Sequence, residues 1–220
     1  EAQTHLSMIS NNIKSIDPDI MNFAEIEGCD EINILRENLD ESYNGFLIKG
    51  TDTSTGQNVG MISKIDPIIS LYRTENRKNY PIQNTMCGYT GEPGNTGVSK
   101  HYISEFLIND IAMVIIGIHL LAFPTDPYRC AKREAQALVI QDIIYYYITI
   151  NYEVIVIGDF NDFDGDVLDK NNNKPTSKVL DIFKGNFGTY TNKFKLYSVL
   201  ENLQQSERYS DWYDKNNDCK

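Results

Sequence analysis

Residues 153–164 read Glu-Val-Ile-Val-Ile-Gly-Asp-Phe-Asn-Asp-Phe-Asp, and they hold the side chains best suited to chemistry. Val154 to Ile157 form an apolar run that stops at Gly158. A short β-branched run closed by a glycine predicts a fully buried strand. Asp159 and Asn161 follow two residues apart. On an extended backbone that spacing points both side chains the same way. A carboxylate can hold a hard cation or take a proton, and a carboxamide can donate to a phosphoryl oxygen. The pair suits a phosphate ester, although an Asx-rich turn after a core strand has the same composition.

Two further apolar runs end in polar groups. Ile20 to Ala24 closes on Glu25, and Ile111 to Ile118 closes on His119. Alone, each has an ordinary explanation: a solvated surface glutamate, a hydrogen-bonded structural histidine. Together they supply a cation ligand, an imidazole and an Asp/Asn pair, a set that metal-assisted phosphodiester hydrolysis can use.

The same segments carry a resemblance. Ile20-Met-Asn-Phe-Ala-Glu25-Ile-Glu, Gly117-Ile-His119-Leu and Ile157-Gly-Asp159-Phe-Asn161-Asp resemble three ordered motifs of the endonuclease/exonuclease/phosphatase superfamily. Val59-Gly-Met-Ile-Ser-Lys64-Ile-Asp-Pro67 matches a fourth segment, and Arg133-Glu-Ala-Gln136 resembles the start of the helix after the His-Leu motif. The resemblance runs in order from about residue 1 to residue 162. It implies a four-layer α/β/β/α sandwich with two mixed β-sheets and the site at the strand ends. It also implies roles. Glu25 ligates Mg²⁺ or Mn²⁺, and His119 hydrogen-bonds the scissile phosphate or protonates the leaving oxygen. Asp159 orients or activates water, and Asn161 holds a phosphoryl oxygen. Lys100 or His101 supplies positive charge to the substrate phosphate.

Two family elements have no counterpart: an initial strand ending in Asn, and a late strand ending in Asp-His. Ser210-Asp211-Trp212 resembles the Ser-Asp-His form with Trp in place of His. The expectation is a chain truncated at both ends, its sheets incomplete at the N- and C-terminal strands. Loss of a general base removes about 10²–10⁴ in rate, so activity of the chain as it stands is expected to be low.

The positioning elements follow from periodicity. Leu6, Ile9, Ile13 and Ile16 predict an amphipathic helix ended by Asp17-Pro18-Asp19. Asp30 to Leu39 reads as a second helix with Asp30 as its N-cap. Short strands are expected at 45–49, 59–63 and 68–72. Arg73 to Gly97 reads as a long polar loop, a kind that is more often functional than accidental. Strands at 102–108 and 111–118 join at Asn109-Asp110, a hairpin-type turn. Arg129 to Tyr147 carries a helical pattern, with Tyr145-Tyr146-Tyr147 at one end of a packed helix. Thr176 is a candidate cap for a short helix to Phe183.

The 220 residues suffice for a single domain, 1–220. No apolar run reaches the length of a membrane span, so no stable membrane insertion is expected. A net charge of −11 opposes a broad electrostatic grip on nucleic acid. A nuclease working through a local site and a divalent cation remains compatible with it. Cys29, Cys87, Cys130 and Cys219 show no Cys-x-x-Cys spacing, which disfavours zinc and leaves three pairings open for two disulfides. The polar, loop-like surroundings of Cys87, Cys130 and Cys219 lean toward an oxidising, secreted or lumenal compartment.

The expected function is a divalent-metal-dependent phosphodiester hydrolase, a nuclease on DNA or RNA and a monomer. In a nuclease, Arg73, Arg77 or Lys78 should meet a phosphate backbone. The alternatives are a sphingomyelinase-type phospholipid phosphodiesterase, or a non-catalytic relative that binds a partner.

Overall fold

Met21, Phe23 and Ile26 show how the first sheet is built. Strict alternation would continue from Phe23 to Glu25, yet the apolar position falls at Ile26. The computed structural model, which describes residues 2–209, resolves the discrepancy. Strand β1 (Ile20–Ile26) pairs antiparallel with β3 (Asn58–Ser63), and the register shifts between Ala24 and Ile26. Glu25 is the extra residue of a β-bulge, at φ 62°. Strand β2 (Asn44–Leu47) pairs antiparallel with β3 on its other side, giving the order β1-β3-β2.

Contacts within the chain cluster into two compact units. The first holds residues up to Lys78, Gly97–Leu120 and Ile143–Asp159; the second holds Asn79–Thr96, Leu121–Asp142 and the chain from Phe160.

In the first unit, helices α1 (Ala2–Ile16) and α2 (Cys29–Glu37) cover one face of the β1-β3-β2 sheet. Ile13, Ile32, Leu35, Tyr43 and Ile62 are buried there, with Leu6, Met21, Phe23 and Ile26 packed against them. Ile9 and Ile16 of the expected α1 stripe are exposed, so that helix is anchored by a narrower seam. Gly28 is the N-cap of α2, and Asp30 sits in its first turn instead. The second cluster joins Val59 and Met61 of β3 to Tyr102, Phe106 and Ile115. These last belong to a second sheet, order β6-β7-β8, from Lys100–Ile108, Ile111–His119 and Glu153–Asp159. The β6–β7 hairpin turns on Asn109 and Asp110, both left-handed.

Strand β8 lies parallel to β7, reached through helix α3 (Pro127–Thr149), as a parallel pair requires. Burial on β8 alternates, with Ile155 41% and Ile157 39% exposed. The expected fully buried strand is corrected: β8 is the outer strand of its sheet and one face of it is open. Residues 68–72 are not a strand; only Tyr72 bridges Ile103. The Tyr147 hydroxyl donates to Glu105 and lies 2.5 Å from the Tyr72 hydroxyl, which adds a side-chain tie to the backbone bonds of Ile68 and Tyr72 with Glu105 and Ile103.

The second unit contains the two-stranded pair β4 (Lys78–Tyr80) and β5 (Gly94–Thr96), most of α3, and α4 (Val179–Lys184). The polar loop 73–97 is therefore partly structured. A disulfide joins Cys87 to Cys130 on α3. Cys29 is free and exposed, and Cys219 lies outside the described residues. Thr176 does not cap α4, whose N-cap is Lys178. Among the described residues no helix is long and apolar enough to cross a membrane.

Candidate active site

His119 and Asp159 end neighbouring strands. The parallel register pairs His119 with Asp159, and the Leu120 amide donates to the Asp159 carbonyl at 2.9 Å. His119 Nε2 lies 3.6 Å from Asp159 Oδ2, with the imidazole side chain 7% exposed and the carboxylate 51%. A buried imidazole beside a solvated carboxylate can pass or hold a proton at one edge and leave the acid open to water. His119 Nδ1 is buried without a hydrogen-bond partner.

Gly158 makes this pairing possible. Its φ is 137°, and a Cβ there would stand 1.9 Å from the Ile118 carbonyl oxygen. Only glycine allows β8 to approach β7 this closely. Gly117 plays a related part on β7. A Cβ there would stand 2.2 Å from the Tyr102 ring and 2.6 Å from Asn22 Oδ1.

Glu25 stands exposed on its bulge in the left-handed region, a conformation that non-glycine residues adopt at a cost of about 1–3 kcal/mol. Asn22, three residues earlier, places a buried amide oxygen without a hydrogen-bond partner against the Gly117 backbone. Sequence reasoning passed over Asn22. Its signal was a carboxamide at an inward position of an otherwise apolar strand. Among the described residues, no group of three or more His, Cys, Asp or Glu side chains could hold a metal ion. Mg²⁺ keeps several waters and needs only one or two carboxylates. Glu25 is a single exposed carboxylate of the kind a hydrated cation uses, and the described donors do not form a closed cage around it.

In the second unit, Asn161 adopts φ 51°, a conformation asparagine tolerates. The next residue holds the turn. Asp162 Oδ1 accepts the Thr176 amide at 2.7 Å and its hydroxyl at 3.1 Å, and Oδ2 accepts the Ser177 hydroxyl. Thr176 also accepts from the buried Arg133, whose Nη1 and Nη2 donate to the Leu121 and Pro124 carbonyls. Glu134 accepts the Thr85 hydroxyl and the Lys178 amide. The Arg133-Glu-Ala-Gln136 stretch is thus a set of buried loop anchors.

Lys100 and His101 have structural employment. Lys100 pairs with Asp52 at 3.0 Å and donates to Thr55 at 3.1 Å. The Thr55 hydroxyl, then the Ser54 amide and the Lys100 ammonium, outweigh burial and hold the Asp52 carboxyl well below the usual range. His101 uses both ring nitrogens: Nδ1 donates to the Val98 carbonyl, and Nε2 accepts the Thr74 amide, each at 2.9 Å. Arg73 is turned inward onto the Val98 and Ser99 carbonyls, so it does not stand ready for a phosphate backbone.

Burial, then the nearby Arg73 charge, lowers the His101 pKa from 6.5 to about 4. The unfolded chain therefore takes up the proton first. The stability that neutral His101 contributes is complete above pH 6.5, and it is lost as pH falls from 6.5 to 4. At about 1.4 kcal/mol per unit, the loss is roughly 3 kcal/mol. Urea midpoints measured from pH 7.5 to 4 should fall more steeply in the wild type than in His101→Gln. Parallel slopes would contradict the buried neutral imidazole.

Solved structures resemble this chain in fold. A mannosyl-6-phosphatase of Bacteroides thetaiotaomicron superimposes with a TM-score of 0.51 at 14% identity, covering 82% of this chain and 61% of its own. An endonuclease/exonuclease/phosphatase family protein of the same bacterium gives 0.51 at 14%, covering 82% and 59%. Beta toxin of Staphylococcus aureus gives 0.51 at 14%, covering 82% and 62%. The chain thus spans about three fifths of the length of these structures. No family model and no curated protein matches it in sequence. The chain carries the endonuclease/exonuclease/phosphatase fold.

Proposed function

We propose that this chain is the core of a divalent-cation-dependent phosphodiester hydrolase, with a nuclease as the favoured form and the four-layer sandwich as its architecture. The observation that carries the reading is the His119–Asp159 pair, brought to 3.6 Å by parallel strand register. In this reading a water adds to phosphorus and gives its proton to the Asp159 carboxylate. The P–O ester bond breaks, and the departing oxygen takes a proton from the His119 side. Asn161, two residues beyond Asp159 along the chain, holds a phosphoryl oxygen through its amide. Glu25 would hold Mg²⁺ or Mn²⁺, which when bound neutralises phosphoryl charge. Lys100 and His101 are left outside the chemistry because their polar atoms are already used.

One observation favours a second reading, a non-catalytic relative: no cluster of three metal-binding side chains stands among the described residues. Manganese titration followed by electron paramagnetic resonance separates the two. The hydrolase reading expects the folded chain to bind Mn²⁺, with affinity reduced at least about tenfold in Glu25→Ala. It also expects the chain to cleave a chromogenic phosphodiester only when the cation is present. A folded chain that neither binds Mn²⁺ nor cleaves the diester would move the assignment to the binding module.

A further inference from the structure

Phe123 is held in a costly conformation in the second unit. It follows His119 by four residues, its φ is 64°, and the residue is 63% exposed. A bulky residue at positive φ is a backbone outlier that persists only where its surroundings over-determine it. Here they do. Buried Arg133 grips the Leu121 carbonyl on one side of Phe123 and the Pro124 carbonyl on the other. The Phe123 carbonyl accepts the Asp126 amide. Burial does not explain the strain, because the residue remains mostly in solvent.

The ring is not alone. The Arg129 guanidinium lies 4.3 Å from its centroid. Beside Arg129 in the sequence, exposed Tyr128 carries the Lys132 ammonium 5.0 Å from its own centroid. Tyr89 and Tyr80 back Tyr128, at 5.4 Å and 5.6 Å between centroids. Asp126, whose Oδ1 accepts the Arg129 amide, is the acidic group closest in sequence. Two exposed rings five residues apart, each with a cation set against it, stand out on a chain of net charge −11. Rings stack on bases of any sequence, and cations set against them meet the flanking phosphates. This charge complementarity favours a single-stranded nucleic acid over a membrane surface.

We propose that Phe123 and Tyr128, with Arg129 and Lys132, form a stacking surface for the unstacked bases of a single-stranded nucleic acid. The proposal deepens the nuclease reading and rests on it for biological sense, but binding can be tested without catalysis. The probe is a fluorescein-labelled thymidylate 15-mer, titrated with the full chain in excess EDTA so that no cleavage occurs. An abasic 15-mer with the same phosphates serves as comparison. The expected results are tighter binding of the base-bearing strand and an affinity loss of about 5- to 150-fold in Tyr128→Leu and in Phe123→Gly. Arg129→Gln should lower the slope of log affinity against log salt by about 0.7. Phe123→Gly keeps the test interpretable, because glycine accepts φ 64° without strain and that variant should be at least as stable as the wild type.

Equal affinity for the two strands, or wild-type affinity in both ring variants, overturns the proposal. So does binding of phosphatidylcholine–sphingomyelin vesicles that depends on Phe123 while the 15-mer is ignored. A wild-type chain that hydrolyses the small chromogenic diester yet ignores the 15-mer overturns the stacking surface and leaves the hydrolase standing. A chain that binds the 15-mer through these rings but hydrolyses nothing supports the surface and removes the hydrolase.

Discussion

Replacing His119 or Asp159 by alanine is expected to slow Mg²⁺- or Mn²⁺-dependent cleavage of a phosphodiester by about 10²–10⁴-fold, the usual contribution of one positioned acid or base. The two losses should not add. If His119 and Asp159 act on one proton path, the double variant should be about as slow as the worse single one. Their exposures predict different side effects. Asp159 is half in solvent, so Asp159→Ala should keep the melting temperature near that of the wild type. His119 is buried, and truncation leaves a void; His119→Gln keeps most of the volume and a polar group while removing the imidazole. An Asp159→Ala variant that cleaves at the wild-type rate, with cation present and the fold intact, would sink this assignment.

Gly158→Ala should be among the most damaging single substitutions in the chain. The new methyl would lie 1.9 Å from the Ile118 carbonyl oxygen, a backbone atom that cannot swing aside. The residue must also hold φ 137°, which L-residues rarely adopt. Backbone strain and overpacking each cost about 1–3 kcal/mol, so a loss of about 2–6 kcal/mol is expected. Gly88→Ala is the matched control. Its φ is 64°, but nothing stands within 4 Å of the added methyl, so it should lose only about 1 kcal/mol. Urea unfolding of the two variants measures the difference. If Gly158→Ala falls no further than Gly88→Ala, strands β7 and β8 do not approach as described, and the juxtaposition of His119 with Asp159 goes with them.

The strand ends were legible because chemistry and periodicity coincided there. Apolar runs broke off at Glu25, His119 and Asp159; the last two breaks are the ends of β7 and β8, while Glu25 is a bulge one residue inside the end of β1. Helix α3 was legible in the same way, from spacing alone. What escaped depended on partners far along the chain. Lys100 and His101 looked like phosphate ligands, and nothing local tells that Asp52, Thr55 and Thr74 come to meet them. Arg73 looked like a backbone contact, but its guanidinium serves two carbonyls of the 98–99 turn. The Cys87–Cys130 pairing had two rivals that spacing could not remove. Residues 68–72 had strand composition, yet they meet β6 only at Ile68 and Tyr72, with the Tyr72–Tyr147–Glu105 hydroxyl chain beside them, rather than through a continuous ladder. The Ser210-Asp211-Trp212 stretch lies outside the described residues.

The bulge in β1 gives the carboxylate an unusual independence. Ala24 pairs with Val59 and Ile26 with Asn58, while Glu25 has no opposite number on β3. Met21, Phe23 and Ile26 satisfy the helix-facing core without it. The sheet therefore does not count Glu25 when it sets its register. Deleting that one residue would return the strand to plain alternation with every core side chain still facing its neighbours. Exchanging it alters the outward chemistry without moving the ladder. Evolution can rewrite the acidic group at this position, or retire it, while the scaffold beneath folds as before.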